Sequence, residues 1–521
     1  MTQPGETMST ISVANKPFLI RTVTAFVALE PLDFGDSTGE DGTTNAAGED
    51  CAIRATLADK ISNCSTLLRE VESQLKKTGY EVQTVRIATN PFGEWLTAKV
   101  APTEADNRDH GHHGGRATNS GQTEEDPVKK KNKLGITGEG KEIEVDKSTI
   151  MDRLQKLNNL LSEHNIGFCS LGPSMNPRHT TSICPLIVSV SPGRFSCSAN
   201  VEACDVEAAR SAAKCIRIIS SLGNDVDNSG SENMGDKNHL TGGLGNFRFC
   251  TASCVPSGVP FFPAARGPSL SFQKSHSSHP IRFGIGLENG EFARQLCKQA
   301  KSISEINIVF FQRMRKELLP IQEICLGAVC DNLADKFPIE YLGIDTSFNP
   351  SLDNTGSVAS AIETLDEVRG DFGQCGSLAA AAAITTSLQN VPDILKTGYC
   401  GLMLPVLEDK RLAELGMMQT GNAANSPQLT IQKLLYISSV CGVGIDTVPI
   451  PGNVSEDSLS SLILDVAALA GRWKKPLSCR VFPVPGGNAG EKTTFDSPYM
   501  CNSCIFDCDD GITRSYVVSK E

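Results

Sequence analysis

The residues best suited to chemistry are two aspartates that each precede a threonine in a repeated tetrapeptide. Gly-Ile-Asp-Thr occurs twice, and it places Asp345 beside Thr346 and Asp446 beside Thr447. A carboxylate next to a hydroxyl at the end of a buried strand can act as a general base, or as a ligand for a metal or a substrate. Alternatively, each aspartate caps the loop that follows it by accepting backbone N–H bonds. Because the duplication favours function, we predict these two aspartates and two threonines as catalytic candidates.

Two arginines near glycines are candidates for holding an anion. Flexible glycines in LTGGLGNFRF precede Arg248, and Arg266 follows the rigid apolar stretch FFPAA. Exposed backbone N–H groups beside a guanidinium suit a carboxylate or a phosphate. We therefore predict that these arginines bind the substrate together with Gly245, Asn246 and Ser347. The alternative is an arginine paired with a structural acid. The glycine pattern matches neither nucleotide-binding fingerprint, so it gives no support for a nucleotide cofactor.

Glu408 and Asp409 are adjacent acids in PVLEDKRLA. Placed after a strand, such acids can orient a base or bind a divalent cation, so they are the candidate metal ligands. The alternative is that they begin a helix, where acids in the first turn complement the helix dipole. A divalent metal is thus a possible cofactor, and the cofactor is otherwise unknown.

Several thiols have spacing that could be chemical. Cys375 in FGQCGSLAAAAA precedes an alanine-rich helix, whose N-terminus would lower a thiol pKa, and Cys400 lies between tyrosine and glycine in GYCGLM. The alternative for both is a small side chain that fills tight space. CNSCIFDC supplies Cys501, Cys504 and Cys508, but a structural zinc site usually has two such pairs. We therefore favour a thiol-rich tail without a metal.

Strands and helices alternate along the chain. KPFLIRTVTAFVAL is rich in Val, Ile, Thr and Phe and predicts a first buried strand, and IGFCSLGP, ICPLIVSVSP, NFRFCTASCV and IRFGIGLE predict further strands. One long helix is predicted from Phe292 to Phe337. This alternation indicates a parallel sheet covered by helices. Ligands bind at the carboxyl ends of such strands, so both aspartates are expected at one functional rim.

Polar segments interrupt this pattern. We predict a flexible tail at residues 1–15, one α/β domain at residues 16–515, and disordered inserts at about 33–50, 101–146 and 223–240. The second insert contains His110, His112 and His113 and the basic run KKKNK. Short histidine tracts bind transition metals loosely, but a solvated linker is the simpler interpretation.

Composition limits the class of protein. The chain has 521 residues and a formal net charge of −12, which argues against a nucleic-acid partner because binding phosphates needs a basic surface. No apolar run reaches the length of a membrane helix, and the N-terminus lacks the basic start and apolar core of a signal peptide. A cytoplasmic location is therefore predicted, and most of the 19 cysteines are expected to be buried or free thiols.

The two Gly-Ile-Asp-Thr units, together with GVPFFPAARG, RFGIGLENG and GYCGLMLPVLEDKRLA, resemble the domain of unknown function 711 family, also catalogued as UPF 0210. The resemblance covers roughly residues 16–482. It implies an α/β barrel of ten strands similar to that of pyruvate formate-lyase and ribonucleotide reductase. RVFPVPGGNAGEKTTFDSPYM has no match to the glycine radical loop of glycyl-radical enzymes, so radical chemistry is not expected.

These observations lead to two hypotheses. The first is an enzyme that acts on a small anionic metabolite by carboxylate acid/base or metal-assisted chemistry at the barrel rim. The second is a metabolite-binding or scaffold protein without catalysis, because no nucleophile-base motif or cofactor fingerprint is present. In both cases a small-molecule ligand is the expected partner, and a homo-oligomer is possible.

Overall fold

A computed structural model describes residues 16–35, 55–99, 145–191, 193–223, 239–273, 280–353, 355–417 and 428–508. The predicted tail at residues 1–15 lies outside the described residues, and so does most of each predicted insert, including His110, His112 and His113.

Nine short segments form strands, and those outside residues 168–253 are rich in β-branched and aromatic residues. They are β1 (Leu19–Val27), β2 (Val85–Thr89), β3 (Phe168–Ser174), β4 (Phe195–Asn200), β5 (Phe249–Ser253), β6 (Ile281–Glu288), β7 (Ile339–Asp345), β8 (Gly444–Pro451) and β9 (Leu477–Val484).

The nine strands form one sheet in the order β7-β6-β1-β2-β3-β4-β5-β9-β8. Strands β1 to β5 are parallel to one another, and β6 with β7 and β8 with β9 are parallel pairs. However, β6 is antiparallel to β1, and β9 is antiparallel to β5. The expectation of a purely parallel sheet was therefore wrong. The outer pairs run opposite to the central five strands. The C-terminal ends of the central strands therefore lie at the same edge of the sheet as the N-terminal ends of the outer strands.

The two Gly-Ile-Asp-Thr strands, β7 and β8, are the outer strands of this sheet. Residues 394–406, which we call the bridging segment, form parallel bridges to both of them. The Ile344 N–H donates to the Leu395 carbonyl at 2.9 Å, and the Val406 N–H donates to the Asp446 carbonyl at 3.1 Å. The α/β class is confirmed, and the assigned strands form a nine-stranded sheet that is not closed.

Helices cover the outer face of the sheet. They are α1 (Leu57–Lys77), α2 (Lys147–Glu163), α3 (Pro177–Ser182), α4 (Cys184–Val190), α5 (Val206–Ser221), α6 (Leu270–Gln273), α7 (Gly290–Ala300), α8 (Ile306–Ile324), α9 (Cys330–Leu333), α10 (Val358–Ile362), α11 (Ser377–Gln389), α12 (Lys410–Gly416), α13 (Ile431–Ser438) and α14 (Glu456–Trp473). Short 3₁₀ turns lie at Pro31–Phe34, Phe92–Glu94, Thr241–Arg248 and Ile303–Glu305, and a π turn lies at Cys325–Val329. Within the described residues, no helix is long and apolar enough to span a membrane.

Helix α1 illustrates how the sequence determines where a helix begins and which of its faces is buried. Thr56 caps its N-terminus by accepting from the Asp59 N–H, and the Asp59 carboxylate accepts from the Thr56 N–H in return. Its apolar residues, such as Ile61, Leu68 and Leu75, are fully buried in the main core. A stripe at helical spacing therefore packs against the sheet, as the sequence predicted.

Two predicted elements were wrong. ICPLIVSVSP was expected to be a strand, but Cys184–Val190 is helical with Pro185 in its first turn, and the strand is the next segment, Phe195–Asn200. Proline in the first turn suits a helix because its missing N–H would be unpaired there. The long helix predicted from Phe292 is broken at Lys301, which has a left-handed φ of 60°.

The inner face of the sheet packs against a loop rather than helices. Residues 258–267 lie there, held by hydrogen bonds from interior hydroxyls to loop carbonyls. Thr24 Oγ1 donates to the Pro260 carbonyl at 2.8 Å, and Ser170 Oγ donates to the Ala265 carbonyl at 2.6 Å. Thr397 Oγ1 of the bridging segment donates to the Gly258 carbonyl at 2.8 Å. This inner loop forms one wall of the cavity described next.

Candidate functional site

A cavity of about 910 Å³ lies between the inner face of the sheet, the inner loop and the C-terminal residues 496–500. We call it the central cavity. Its described lining includes five arginines but only three acidic residues, in a chain whose net charge is −12. The volume is in the range of small-molecule sites. Phenylalanine and methionine side chains supply the apolar walls.

Arg480 of β9 ties two carboxylates together at one side of the central cavity. Its Nε donates to Asp446 Oδ1 at 2.6 Å and its Nη2 donates to Glu408 Oε1 at 2.8 Å. A second arginine, Arg21, lies 3.7 Å from Glu408 Oε2 and is itself paired with Glu288 at 2.5 Å. The two acids therefore share one buried guanidinium.

Glu408 has a pKa shifted by its surroundings. Burial raises the pKa of Glu408, and the nearby charge of Asp446 raises it further, while Arg480 and Arg21 oppose the shift. A carboxyl group whose pKa is raised keeps its proton to a higher pH than an ordinary glutamate does. The sequence predicted Glu408 as a metal ligand or as an acid that orients a base, and the structure pairs it with Arg480.

Arg248 and Ser196 form a polar patch with unmet hydrogen-bonding capacity. Arg248 is 7% exposed, and its Nη1 donates to the Ser191 carbonyl at 3.0 Å. Its Nη2 and the Ser196 Oγ are buried and have no hydrogen-bond partner among the described residues. Strands β4 and β5 pair Cys197 with Phe249, so the preceding residues, Ser196 and Arg248, are neighbours facing the cavity.

A hydroxyl pair lies between the two repeated units. The Tyr399 hydroxyl and Ser478 Oγ are 2.5 Å apart, and both residues line the central cavity. Burial raises the pKa of Tyr399 well above its ordinary value, with Cys250, Asp446 and Asp345 adding to the shift. The tyrosine therefore stays protonated and can serve only as a neutral donor or acceptor at physiological pH.

Asp345 lies next to the cavity wall but is not part of its described lining. It is fully buried and accepts four hydrogen bonds: Oδ1 from the N–H and hydroxyl of Ser347 and from the Cys400 N–H, and Oδ2 from the Tyr399 N–H, at distances of 2.6–3.0 Å. Burial raises the pKa of Asp345, and these bonds oppose the shift. Asp345 fixes the turn that carries Tyr399, whereas Asp446 faces the cavity.

Asp446 does not lie at the end of its strand as expected. It is the third residue of β8, within an irregularity of the β8–β9 register between Ile445 and Val448. Its neighbour Thr447 has a left-handed φ of 44° and accepts the Leu407 N–H at Oγ1. In the first unit, Thr346 Oγ1 donates to the Leu388 carbonyl at 2.7 Å. Both threonine hydroxyls thus bond to backbone groups.

The remaining predicted ligand residues lie outside the described lining. Arg266 is half-buried, and burial lowers its pKa, with Glu202 opposing the shift. The Asn246 amide donates to the Ile216 carbonyl at 3.1 Å, and Gly245 packs against Ile219. Ser347 donates to Asp345 and accepts from the Gly401 N–H. Of the five predicted substrate-binding residues, the structure brings only Arg248 to the cavity wall.

Asp409 joins two helices. Oδ2 accepts from Val358 and Ala359 at the start of α10, and Oδ1 accepts from Arg411 and Leu412 at the start of α12. These bonds satisfy the free N–H groups of two helix N-termini. Within the described residues, no group of three or more His, Cys, Asp or Glu side chains is arranged to hold a metal ion.

The thiols singled out by sequence do not converge on the cavity. Cys375 is exposed before α11, and Cys400 is buried, with its pKa raised to about 12 by burial. The Cys501 thiol donates to the Leu407 carbonyl at 3.3 Å, and burial raises its pKa to about 11. Cys504 is buried and Cys508 is half-buried.

Sequence reasoning missed Arg86, Ser196, Arg480, Tyr399 and Ser478. An available signal was the pair of arginines inside apolar strand sequences, VRIA for Arg86 and SCRVFP for Arg480. An arginine in a buried strand needs a partner or a ligand, because an unpaired buried charge is costly. No local signal marked Ser196.

The mixed sheet, the inner loop and the central cavity define an α/β protein with an internal cavity lined by several arginines. The chain belongs to the family described as Uncharacterised ACR (DUF711), which matches residues 12–110 and 139–500. The family resemblance carried by the Gly-Ile-Asp-Thr units and the inner-loop motif is thereby confirmed.

Individual relatives are similar over part of the chain. A UPF0210 protein of Pyrobaculum arsenaticum is 32% identical over 162 residues, which is 30% of this chain and 34% of that protein. One from Bifidobacterium longum is 34% identical over 172 residues, 32% of this chain and 35% of that protein. One from Oleidesulfovibrio alaskensis is 26% identical over 260 residues, 49% of this chain and 52% of that protein. The chain thus spans about a third to a half of the length of these relatives.

Proposed function

We propose that the protein is an enzyme that binds a small anionic metabolite in the central cavity and acts on it by carboxylate acid/base chemistry. The observation that carries this proposal is the Arg248–Ser196 patch. Both residues line the same cavity, and each has a buried polar atom without a hydrogen-bond partner among the described residues, Nη2 in Arg248 and Oγ in Ser196. Unmet buried donors are costly, and a ligand carboxylate or phosphate would satisfy both.

Glu408 and Asp446 supply the proposed chemistry. Their shared partner Arg480 keeps two carboxylates close, so that one holds a proton more readily than the other. Glu408, with its raised pKa, is the general acid, and the Tyr399–Ser478 pair positions the reacting group by neutral hydrogen bonds. Asp345 acts as a positioning residue for Tyr399 rather than as a base.

Metal-assisted chemistry has less support from the donor set. Asp409 uses both oxygens on helix N–H groups, and each Glu408 oxygen faces an arginine. Hard cations need several free oxygen ligands, which these two residues do not offer together.

We also propose that the bridging segment occupies the tenth position of a barrel. Its parallel bridges to β7 and β8 support a barrel with two halves of five parallel strands each. One half is β1 to β5, and the other is β6, β7, the bridging segment, β8 and β9. This is the arrangement that the family resemblance implies, and it places the central cavity inside the barrel.

A binding protein without catalysis is the second candidate. It is favoured by the full pairing of Asp446 and Glu408 with Arg480, because carboxylates held in ion pairs are weaker bases. In this case the cavity selects a ligand and leaves it unchanged.

The test is a thermal-shift screen of carboxylates and phosphates, followed by turnover assays on each stabilising compound. Under the enzyme proposal, a hit is converted by the native protein, Glu408→Gln binds the hit but loses turnover, and Arg248→Gln loses binding. Exposed Arg178→Gln is the matched control and keeps both. A hit that is recovered unchanged after long incubation, with binding lost in Arg248→Gln, supports the binding protein. Stabilisation that is equal in Arg248→Gln contradicts both.

A further inference from the structure

Arg86, which lines the same cavity as Arg248, is a second cation with no assigned role. It is the second residue of β2 and lines the central cavity. Its Nε donates to Thr84 Oγ1 at 2.9 Å, and its guanidinium lies over two rings, 5.1 Å from Phe168 and 5.0 Å from Phe262. These contacts fix the guanidinium by stacking and leave its outer N–H groups for other partners.

Two of the other arginines that line the cavity are held in ion pairs. Arg480 is paired with Asp446 and Glu408, and Arg21 is paired with Glu288. Within the described part of the chain, no carboxylate forms an ion pair with Arg86. Burial and the charge of Arg21 together lower the pKa of Arg86 to about 9, while the charge of Glu408 opposes the shift. An anion beside Arg86 would relieve this unbalanced charge.

We propose that Arg86 forms a second anion subsite in the central cavity, so that the ligand is an extended dianion held at one end by Arg248 and Ser196 and at the other by Arg86. This inference rests on the function proposed above and names its substrate class. Arg86 is on β2 and Arg248 directly precedes β5, three strands away in the sheet. Strands lie about 4.8 Å apart, so the backbones of the two arginines are about 14 Å apart across the sheet. Both arginines reach the same cavity, and its aromatic and apolar lining residues suit the ligand body.

The experiment measures how many inorganic phosphate ions the folded full chain binds, by equilibrium dialysis at low ionic strength. Phosphate is a probe that fits either subsite alone. The native chain should bind two ions, Arg86→Gln one, Arg248→Gln one, and the double variant none. Arg178→Gln, which removes an exposed arginine, should still bind two. Circular dichroism and the thermal midpoint establish that each variant is folded before its stoichiometry is compared.

The possible results separate the two proposals. Two ions in the native chain and two in Arg86→Gln would overturn the second subsite. One ion in the native chain, lost in Arg248→Gln and kept in Arg86→Gln, would also overturn it but leave the proposed function intact. No phosphate in the native chain would overturn both. If Arg86→Gln is unstable, Arg86→Lys serves in its place and should weaken the second ion at least several-fold, because lysine cannot bind it in a bidentate manner.

Discussion

At the scale of single residues, Arg480 is the cation that pairs with both carboxylates, Asp446 and Glu408, on one side of the cavity. It is 7% exposed and bonds to Asp446, Glu408 and the Phe247 carbonyl. Its guanidinium also lies 5.1 Å from the Phe247 ring. Removing the shared cation from two buried carboxylates leaves like charges facing each other.

We therefore expect Arg480→Ala to destabilise the fold by about 3–5 kcal/mol at neutral pH, since it breaks a buried ion pair from one side. The loss should shrink on acidification, because the two acids can then be protonated. Urea denaturation at several pH values measures this, with Arg178→Ala as the exposed control. An Arg480→Ala chain as stable as the control would show that the pairs contribute little.

A separate prediction concerns Glu408 and the pH dependence of the free energy of unfolding. Its pKa is raised in the folded state, so the folded state holds the proton more tightly than the unfolded chain does. The stability contributed by this proton is fully present below the ordinary glutamate pKa and is lost as pH rises through the raised value. Glu408→Gln should remove this fall in the free energy of unfolding.

The check compares the pH dependence of urea unfolding in the native chain and in Glu408→Gln. Glu163→Gln, at an exposed position, is the control and should follow the native curve. If the Glu408→Gln curve also runs parallel to the native one, the pKa of Glu408 is not raised.

Residue types alone indicated part of the site. The repeated tetrapeptide pointed to Asp446 and the glycine-rich segment pointed to Arg248, and both line the central cavity. Arg86, Ser196 and Arg480 belong to strands far apart in the chain, and no spacing rule connects them. Whether an aspartate faces a cavity, as Asp446 does, or accepts backbone N–H groups, as Asp345 does, depends on packing that the local sequence does not specify.

At the scale of elements, the backbone conformation of the two Gly-Ile-Asp-Thr units gives a structural reason for their glycines. Gly343 and Gly444 have φ values of 125° and 99°, and both lie beside register irregularities. A methyl group at Gly343 would collide with the Leu395 carbonyl oxygen, and one at Gly444 would collide with the Ser478 carbonyl oxygen. The glycine of each unit lets its strand approach the neighbouring backbone closely.

Gly343→Ala and Gly444→Ala should each destabilise the fold, by about 1–3 kcal/mol for the backbone strain and more for the collision. Gly167→Ala is the matched control, since a methyl group at Gly167 would point into open space with no contact within 4 Å. Thermal unfolding of the three variants measures the difference. Tolerance of alanine at both Gly343 and Gly444 would remove the structural reason for the repeat.

The prediction of strands and helices succeeded where a regular apolar pattern extended over many residues, and it failed where the apolar segment was short. The apolar stripe of α1 and the β-branched run of β1 are both unambiguous. ICPLIVSVSP is a short run of β-branched residues without periodicity, and a buried helix and a buried strand look the same at that length. The direction of β6 and β9 depends on long-range pairing, which local sequence does not encode.

At the scale of the whole molecule, an acidic chain encloses a cavity with more arginines than acids in its described lining. This excess of arginines is the basis of the anion site that we propose. Different strands contribute the two groups of charged and polar residues in the cavity lining. Arg248 and Ser196 come from the central strands β1 to β5 and the residue before β5, and Asp446 and Arg480 come from β8 and β9.

The most direct test of the anion site is arginine labelling with phenylglyoxal, with and without inorganic phosphate, read by peptide mass spectrometry on the native full chain. If the central cavity binds anions through Arg248, phosphate should protect Arg248 from labelling several-fold and leave exposed Arg178 unaffected. Equal labelling of Arg248 in the presence and absence of phosphate would contradict the account.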